Sequence, residues 1–310
     1  MIGPDESTVL IDGPWTHRTI RANGIALHVA EMGTGPMVLL LHGMPTFWWT
    51  WAQQIVDLAG AGFRAVAVDL RGYGASDKPP RGYDATTLAA DIAQLVTALG
   101  EQDAVVVGND IGGLLAWTMA VHNPQVVRRI AVLGAAHPLR LRNAVLFDRT
   151  GQRHASGYAL TKFQLPRYGE RLLTRDSTFI RGLFDTWSGP RWRGTPGYVA
   201  AVERYAAAMR IHPSAHCSLE FFRWAVRSLP RPDGRAYAAS MRVPISRPVL
   251  QLHGDFDGCV LARTARGSSR HVIADYEWHL LTGIGHFPQQ EAPEKVSEEL
   301  IRWAKLGSEG

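Results

Sequence analysis

Short runs of apolar residues, without polar residues alternating between them, recur along this chain. Examples are MVLLLHG at 37–43 and RAVAVDL at 64–70, and similar runs occupy 103–108 and 129–133. Such runs are typical of strands that are buried on both faces of a parallel sheet. Segments with helical spacing, such as 85–99, lie between them. Strands that alternate with helices predict an α/β fold with a doubly wound, mostly parallel sheet.

The alternation stops at His137-Pro138 and resumes only at 247–254, followed by a predicted strand at 277–283 and a final helix at 295–306. The residues in between show helical patterns and no run that resembles a central strand. These helical patterns lie at 158–165, 168–184, 197–210 and 215–228. We therefore predict a core domain made of residues 1–138 and 244–310, with a helical cap, or lid, inserted at 139–243.

The charge of the chain is distributed unevenly. The formal net charge is +5, but residues 139–246 contain 18 Lys and Arg against 7 Asp and Glu, a net of +11, which leaves −6 for the rest. Two explanations fit the positive charge of residues 139–246. One is a solvated, arginine-rich surface, and the other is a basic lid that makes weak contact with acidic lipid or an anionic ligand. Recognised nucleic-acid-binding motifs are absent from the sequence, so nucleic acid is not an expected partner.

Cysteine usage and hydropathy favour a soluble, cytoplasmic protein. Cys217 and Cys259 form neither a disulfide nor a metal-binding pattern, and we expect each to be a buried thiol. The first residues do not resemble a signal peptide, and no window approaches the roughly 20 apolar residues of a membrane span. His212 and His216 have a metal-like spacing, but Pro213 interrupts the helix, so no metal site is predicted.

Side chains suited to catalysis follow the predicted strands. Asp110 follows the run at 103–108, Asp255 and Asp257 follow the run at 248–253, and His286 follows the run at 277–283. In a parallel sheet, ligands bind outside the carboxyl ends of the strands, so these side chains are expected to converge. Either Asp255 or Asp257 could then orient His286.

The stretch VVVGNDIGGLL at 105–115 places an aspartate at the apex of a strand-to-helix turn. Enzymes with such a turn usually have serine there, within the pattern G-x-S-x-G. A carboxylate is a poor acyl acceptor, but it can displace a leaving group from a saturated carbon and form an alkyl ester of the enzyme. Hydrolysis of that ester needs a base that activates water, and His286 fits this role.

Five motifs resemble the α/β-hydrolase superfamily and, within it, the epoxide hydrolase branch. They span nearly all of the predicted core in the order of that family. The motifs are HGMP (42–45) followed by FWWTW, RGYGASDKP (71–79), GNDIGG (108–113), HGDFDGCV (253–260) and GIGHFPQQEAP (283–293). The helical insertion matches the lid of that family in position and length, and FQLP (163–166) resembles a lid motif of the epoxide hydrolase branch.

The resemblance implies a hydrolase that needs no cofactor. Asp110 would be the nucleophile, and the backbone amides of Met44 and Ile111 would form the oxyanion hole. The spacing G-x-x-D of the family, counted from Gly254, selects Asp257 as the acid that orients His286. Asp255 is then expected to be a turn or capping residue.

The leaving group would determine the substrate. Haloalkane dehalogenases have Asn after HG and Trp after the nucleophile, whereas those positions here are Met44 and Ile111. The pattern therefore favours a small, apolar epoxide as substrate. There are two alternatives. One is a dehalogenase with an unusual halide site, and the other is a lid-gated binding protein that senses a small lipid without turnover. A homodimer is compatible with the sequence.

The sequence departs from the epoxide hydrolase branch at the two lid tyrosines that donate a proton to the opening ring. Their expected positions hold Ala159 and Phe222. Tyr158, one residue from the first position, is the preferred substitute. The other candidates are Tyr168, Tyr205, His212 and His216.

Overall fold

Eight strands form one twisted sheet in the computed structural model, which describes residues 4–306. Residues 1–3 and 307–310 of the predicted core domain lie outside the described residues. The strands, β1 to β8 in chain order, are Thr16–Ala22, Ile25–Met32, Met37–Leu41, Arg64–Val68, Ala104–Asn109, Val127–Leu133, Val249–Gly254 and Tyr276–Leu281. Their order in the sheet is β1-β2-β4-β3-β5-β6-β7-β8.

The sheet is mostly parallel, as the apolar runs predicted. In the part of the sheet that runs β4-β3-β5-β6-β7-β8, all neighbouring strands are parallel. The pairs β1 with β2 and β2 with β4 are antiparallel. All residues of the central strands β3 and β5 are buried, which explains why their sequences contain no polar alternation. Leu41 at the end of β3 is in register with Gly108, so the loops that follow these two strands start side by side.

The α-helices of residues 4–306 cover the sheet and form the insertion. In chain order, α1 to α14 are Ala52–Gly60, Ala85–Ala98, Ile111–His122, Pro138–Phe147, Gln152–Ala155, Gly157–Leu160, Tyr168–Thr174, Thr178–Trp187, Pro196–Met209, Ser214–Arg227, Pro232–Ser240, Ala262–Arg266, Pro288–Glu291 and Pro293–Lys305. Helix α1 packs on α14, and α2 packs on α3. These pairs cover the two faces of the doubly wound sheet.

The segment between β6 and β7 contains α4 to α11, and its described residues form no strand. The predicted helix at 168–184 is two helices in the structure, α7 and α8, because residues 175–177 between them are not helical. Helices α4 and α11 were not predicted from the sequence. The division of the chain into a core at 1–138 and 244–310 and a cap at 139–243 stays a prediction.

Two of the helices that the sequence did not predict, α4 and α11, begin with proline. Proline is tolerated in the first helical turn, where its missing N–H has no acceptor to lose. In α4 the ring of His137 accepts a hydrogen bond from the Leu139 N–H at 3.3 Å and caps the helix. His137-Pro138, where the strand–helix alternation stops, and the proline-rich stretch at 230–234 therefore both start helices.

Candidate active site

Asp110 lies at the apex of the turn between β5 and α3. Its backbone has φ +52° and ψ −115°, a region that residues other than glycine rarely adopt. The turn needs glycine on both sides, since a Cβ on Gly108 would lie 2.1 Å from the Gly112 carbonyl oxygen and one on Gly112 would lie 2.2 Å from that of Leu41. The Asp110 side chain consequently projects from the sheet edge, and it is 7% exposed.

The loop after β3 presents a hydrogen-bond donor to the Asp110 carboxylate. The Met44 N–H donates to Oδ2 of Asp110 at 2.9 Å. His42 shapes this loop, because its Nδ1 donates to the Gly43 carbonyl at 2.9 Å and its Nε2 accepts from the Leu70 N–H at 3.1 Å. Ile111 is the first residue of α3, so its N–H has no acceptor within the helix. The amides predicted for the oxyanion hole therefore both lie beside Asp110.

His286 lies between two carboxylates. Its Nδ1 donates to Oδ2 of Asp257 at 2.9 Å, and its Nε2 lies 3.7 Å from Oδ1 of Asp110. Asp257 is held in turn by the N–H groups of Cys259 and Val260, which both donate to its Oδ1 at 2.8 Å. The structure thus brings together the three side chains that the sequence proposed as nucleophile, acid and base.

Asp255 does not reach His286. Its Oδ1 accepts a hydrogen bond from the Gly283 N–H at 2.7 Å and joins the ends of β7 and β8. The geometry therefore selects Asp257 as the carboxylate that contacts the imidazole.

The electrostatic environment of His286 favours the imidazolium. Burial alone would lower the pKa of His286, but the charge of Asp257, its hydrogen bond to Nδ1 and the nearby Asp110 carboxylate outweigh burial and raise this pKa well above its usual value. The Nε2 atom is buried and has no hydrogen-bond partner among the described residues. Removing the charge on Asp110 would therefore lower the pKa of His286 towards the range in which the ring acts as a base.

The loop that carries His286 is tied to both the core and the inserted helices. The Asn109 side chain donates to the His286 carbonyl at 2.9 Å, and the His286 N–H donates to the carbonyl of Trp187 at 2.8 Å. Glu291 accepts from the N–H groups of Gly189 and Gly285 at 2.7 and 2.8 Å. These contacts fix the imidazole relative to Asp110, which a catalytic base requires.

A cavity of about 210 Å³ opens beside Asp110, with a largely apolar wall. Ala159 and Phe222, which occupy the expected tyrosine positions, both lie in this wall. Gln164 of the FQLP motif holds them together, since its side-chain amide donates to the Ala159 carbonyl at 2.8 Å and to the Phe222 carbonyl at 3.1 Å. Both lid positions therefore line the cavity, but their side chains provide no hydroxyl group.

Two tyrosines do line the cavity. Tyr158 packs edge-on against Phe179, with a distance of 5.5 Å between ring centroids. Tyr237, which the sequence did not suggest, shares a 2.8 Å hydrogen bond with the hydroxyl of Thr118. Its position in α11 carries no motif, and only the packing of that helix brings it to the cavity.

The remaining lid candidates lie elsewhere. Tyr205 donates to Oε1 of Gln290 at 2.8 Å, and His216 contacts Glu170 at 3.0 Å. Tyr168 is 44% exposed, and His212 is also exposed. None of these four residues lines the cavity beside Asp110.

Cys259 and Trp187 are further cavity residues that sequence reasoning missed. The half-buried thiol of Cys259 lies in the cavity wall, where loss of hydration raises its pKa to about 11. Asp110, Cys259 and His286 each offer one metal-ligand atom, and these three atoms lie within 4.8 Å of one another. The three residues could therefore hold a metal ion. The indole of Trp187 packs edge-on against His286 at 5.4 Å. Cys259 stands two residues after Asp257, which is the one local signal for its position.

Comparison with known proteins gives a family for this fold and site. Residues 36–293 match the family described as the alpha/beta hydrolase fold. The chain belongs to that family. This α/β-hydrolase is 31% identical to epoxide hydrolase 3 of Xenopus tropicalis over 90% of its own length and 74% of the frog protein. It is 37% identical to an epoxide hydrolase 3 of Siraitia grosvenorii, where the match covers 50% of this chain and 49% of the plant protein.

Solved structures agree with this assignment. The structure of an epoxide hydrolase from Vigna radiata superposes with a TM-score of 0.78 at 26% identity, covering 94% of this chain and 98% of that one. An epoxide hydrolase from an endophytic Streptomyces gives a TM-score of 0.78 at 28% identity, covering 95% and 96%. The predicted fold, and the resemblance to epoxide hydrolases, are confirmed. The roles of individual site residues stay predictions.

Proposed function

We propose that this α/β-hydrolase opens a small apolar epoxide to a vicinal diol through an ester on Asp110. The observation that carries the proposal is the placement of the Asp110 carboxylate beside an apolar cavity, with one oxygen on the Met44 N–H and the other 3.7 Å from His286. A carboxylate in this position suits attack on a saturated carbon, and relatives named epoxide hydrolases match most of the chain.

In the first half of the reaction, Oδ1 of Asp110 attacks a ring carbon of the epoxide. A carbon–oxygen bond of the ring breaks as the ester bond forms, and the ring oxygen leaves as an alkoxide that takes a proton. Oδ2 already accepts a hydrogen bond from the Met44 N–H, so it becomes the carbonyl oxygen of the ester. Tyr158 is the proton donor that we propose, because its ring lies in the wall of the same cavity.

In the second half, His286 takes a proton from water and the hydroxide attacks the ester carbon. The resulting oxyanion forms on Oδ2, where the N–H groups of Met44 and Ile111 would stabilise it. One such donor is typically worth about 3–4 kcal/mol. The bond between the ester carbon and Oδ1 then breaks, and the diol oxygen takes the proton from His286. The second proton of the attacking water passes to the Tyr158 phenolate, which restores both the tyrosine and the Asp110 carboxylate.

Formation of the ester would itself activate the base. Esterification removes the negative charge that lies 3.7 Å from Nε2 of His286, and with it one of the interactions that raise the pKa of the imidazole. Esterification therefore lowers the pKa of His286 and favours the neutral imidazole, the form that can accept a proton from water.

Trapping of the ester tests this proposal. In a His286→Gln variant incubated with styrene oxide, we expect intact mass to increase by one substrate mass and peptide mapping to locate the adduct on Asp110. The ester accumulates because no base activates water. The matched control is the Asp110→Ala, His286→Gln double variant, which should remain unmodified.

The panel of substrates should also include a haloalkane and an aryl ester. An adduct formed from the haloalkane and not from the epoxide would replace this proposal with a dehalogenase. Turnover of the aryl ester without any alkyl adduct on Asp110 would overturn the aspartyl-ester mechanism. Saturable binding with neither adduct nor turnover would instead support a binding protein.

The role of Tyr158 has its own test. We expect Tyr158→Phe to slow ring opening by about 10²- to 10⁴-fold, the usual contribution of a general acid, and to leave ester hydrolysis nearly unchanged. Single-turnover tryptophan fluorescence separates these steps, because Trp187 lines the cavity. The control is Tyr237→Phe. If that variant loses ring opening and Tyr158→Phe retains it, the proton donor is Tyr237.

A cytoplasmic location also belongs to this proposal. Cys217 and Cys259 are both free thiols, which is typical of a reducing compartment. No helix among residues 4–306 has the length and apolar character needed to span a bilayer.

A further inference from the structure

We propose that Asp110, Cys259 and His286 form a binding site for Zn²⁺, and that a metal ion bound there switches off the hydrolase. The three residues each offer a ligand atom, and these atoms lie within 4.8 Å of one another. The sequence predicted no metal site, because the residues lie far apart in the chain and only the sheet edge brings them together. The binding itself does not depend on the proposed epoxide chemistry.

His286 is already arranged as a metal ligand. Its Nδ1 is occupied by Asp257 at 2.9 Å, which leaves Nε2 to face Asp110. Nε2 is buried and lacks a hydrogen-bond partner among residues 4–306. A carboxylate that holds the far nitrogen of a histidine is the usual outer-shell support of a zinc ligand, because it fixes the ring and increases its basicity.

Asp110 offers one oxygen and has the other occupied. Oδ2 is held by the Met44 N–H, and Oδ1 lies 3.7 Å from Nε2 of His286. With metal–ligand bonds of about 2.0–2.3 Å at tetrahedral angles, ligand atoms lie roughly 3.3–3.7 Å apart. The separation of Oδ1 and Nε2 therefore already fits one edge of the tetrahedron. The separations from the Cys259 sulfur are at most 4.8 Å, so they have to contract by no more than about 1 Å.

Cys259 supplies the soft ligand that determines which metal binds. Thiolate and imidazole ligands favour zinc and disfavour Mg²⁺ and Ca²⁺, which prefer oxygen. The Cys259 backbone is held in place, since its N–H donates to Asp257 at 2.8 Å. On binding, the thiol proton and any proton on His286 pass to solvent, and a water molecule from the cavity completes the fourth position.

A metal ion in this site blocks both halves of the proposed reaction. It occupies the Asp110 oxygen that would attack the substrate and the His286 nitrogen that would activate water. The inhibition is reversible, because chelation returns all three side chains to their free state.

Calorimetric titration of the whole chain with Zn²⁺ tests the site without any substrate. We expect one ion per chain for the natural sequence and for Cys217→Ala, which removes the other cysteine of the chain. In Cys259→Ala we expect the dissociation constant to rise by more than about 100-fold, the upper end of the loss caused by removing an outer-shell partner. Circular dichroism verifies that each variant is folded.

Co²⁺ identifies the ligands directly. We expect a thiolate-to-cobalt charge-transfer band in the near ultraviolet with the natural sequence and with Cys217→Ala, and its absence with Cys259→Ala. Absence of one-to-one Zn²⁺ binding, or equal affinity in Cys259→Ala, would overturn the proposal. So would a charge-transfer band that depends on Cys217.

Activity measurements then test the switch. If epoxide turnover is found, Zn²⁺ should inhibit it, EDTA should restore it, and each variant should be compared with its own metal-free rate. The assignment would be contradicted if Zn²⁺ failed to inhibit Cys217→Ala but still inhibited Cys259→Ala. If no turnover is found but the calorimetric pattern holds, the metal site stands and only the proposed function fails.

Discussion

Asp110 illustrates how the surrounding structure can hold a single residue in an unfavourable backbone conformation. A residue other than glycine in such a region destabilises the folded protein by about 1–3 kcal/mol, so the surrounding structure has to hold the residue in this conformation. Here the close approach of Gly112 to Leu41 and the hydrogen bond from the Met44 N–H fix the turn. The result is a carboxylate whose two oxygens have different environments, one on a donor and one facing His286.

The pH dependence of the two half-reactions follows from the environment of His286. Its pKa is raised above 6.5 in the free protein, and an imidazolium cannot accept a proton from water. Ester hydrolysis should therefore fall as pH decreases through the pKa of His286 in the alkylated enzyme. Formation of the ester needs only ionised Asp110, so it should persist to lower pH.

Single-turnover measurements across pH check this prediction, with ester decay and ester formation monitored separately. In Asp257→Asn the inflection of ester decay should move to lower pH, because the anionic partner that raises the pKa of His286 is lost. Parallel loss of both half-reactions with decreasing pH would contradict the separate roles of Asp110 and His286.

At the level of elements, the inserted helices depend on one buried arginine. Arg223 in α10 donates to the Phe163 carbonyl at 2.9 Å and makes two hydrogen bonds to Glu170 in α7, at 2.8 and 3.0 Å. Burial would raise the pKa of Glu170, but the hydrogen bond from Arg223 outweighs it and lowers this pKa to about 2. The guanidinium group of Arg223 thus connects α10 to α7 and to the FQLP motif.

Replacement of this arginine should loosen the lid. Removing one partner of a buried ion pair leaves an uncompensated charge, so we expect Arg223→Met to lower the free energy of unfolding by about 3 kcal/mol. Urea titration measures the change. Arg223→Lys should be destabilised as well, because an ammonium cannot reproduce the planar fork.

The matched control is Arg231→Met. Arg231 pairs with Asp233 on the surface, and the loss of an exposed pair costs at most about 1 kcal/mol. Equal destabilisation of the Arg223 and Arg231 variants would show that burial of the pair does not determine the stability of the lid.

At the scale of the whole molecule, charge is separated between the inserted helices and the rest. Residues 139–246 carry a net charge of +11, and the remainder carries −6. The same segment exposes apolar side chains, with Phe147 80% and Leu165 52% accessible. A basic surface with exposed apolar side chains is suited to weak contact with acidic lipid, and this contact stays a prediction. The homodimer also stays a prediction.

Vesicle sedimentation tests the lipid contact. We expect binding to vesicles that contain anionic lipid at 50 mM NaCl and little binding at 500 mM, since salt shortens the screening length from about 10 Å at 0.1 M to about 3 Å at 1 M. Phe147→Ser should weaken binding without changing its salt dependence. Binding that is unaffected by salt, or equal with neutral vesicles, would exclude an electrostatic contact.

The sequence alone determined the mostly parallel sheet, the alternation of strands and helices in the core, and the three residues proposed as nucleophile, acid and base. Each depends on local information: apolar runs without alternation, glycines that flank Asp110, and polar residues placed directly after strands. Parallel strands end at a common edge, so a residue that follows a strand is placed at the site by the chain itself.

Tertiary structure alone decided the lid and the cavity wall. Tyr237 and Trp187 reach the cavity through packing of helices that carry no motif, and α4 and α11 begin with prolines that the sequence did not identify as helix starts. Packing depends on contacts between residues far apart in the chain, and no local pattern encodes them. For this reason the sequence located Asp110, Asp257 and His286 but not the residues that line the cavity beside them.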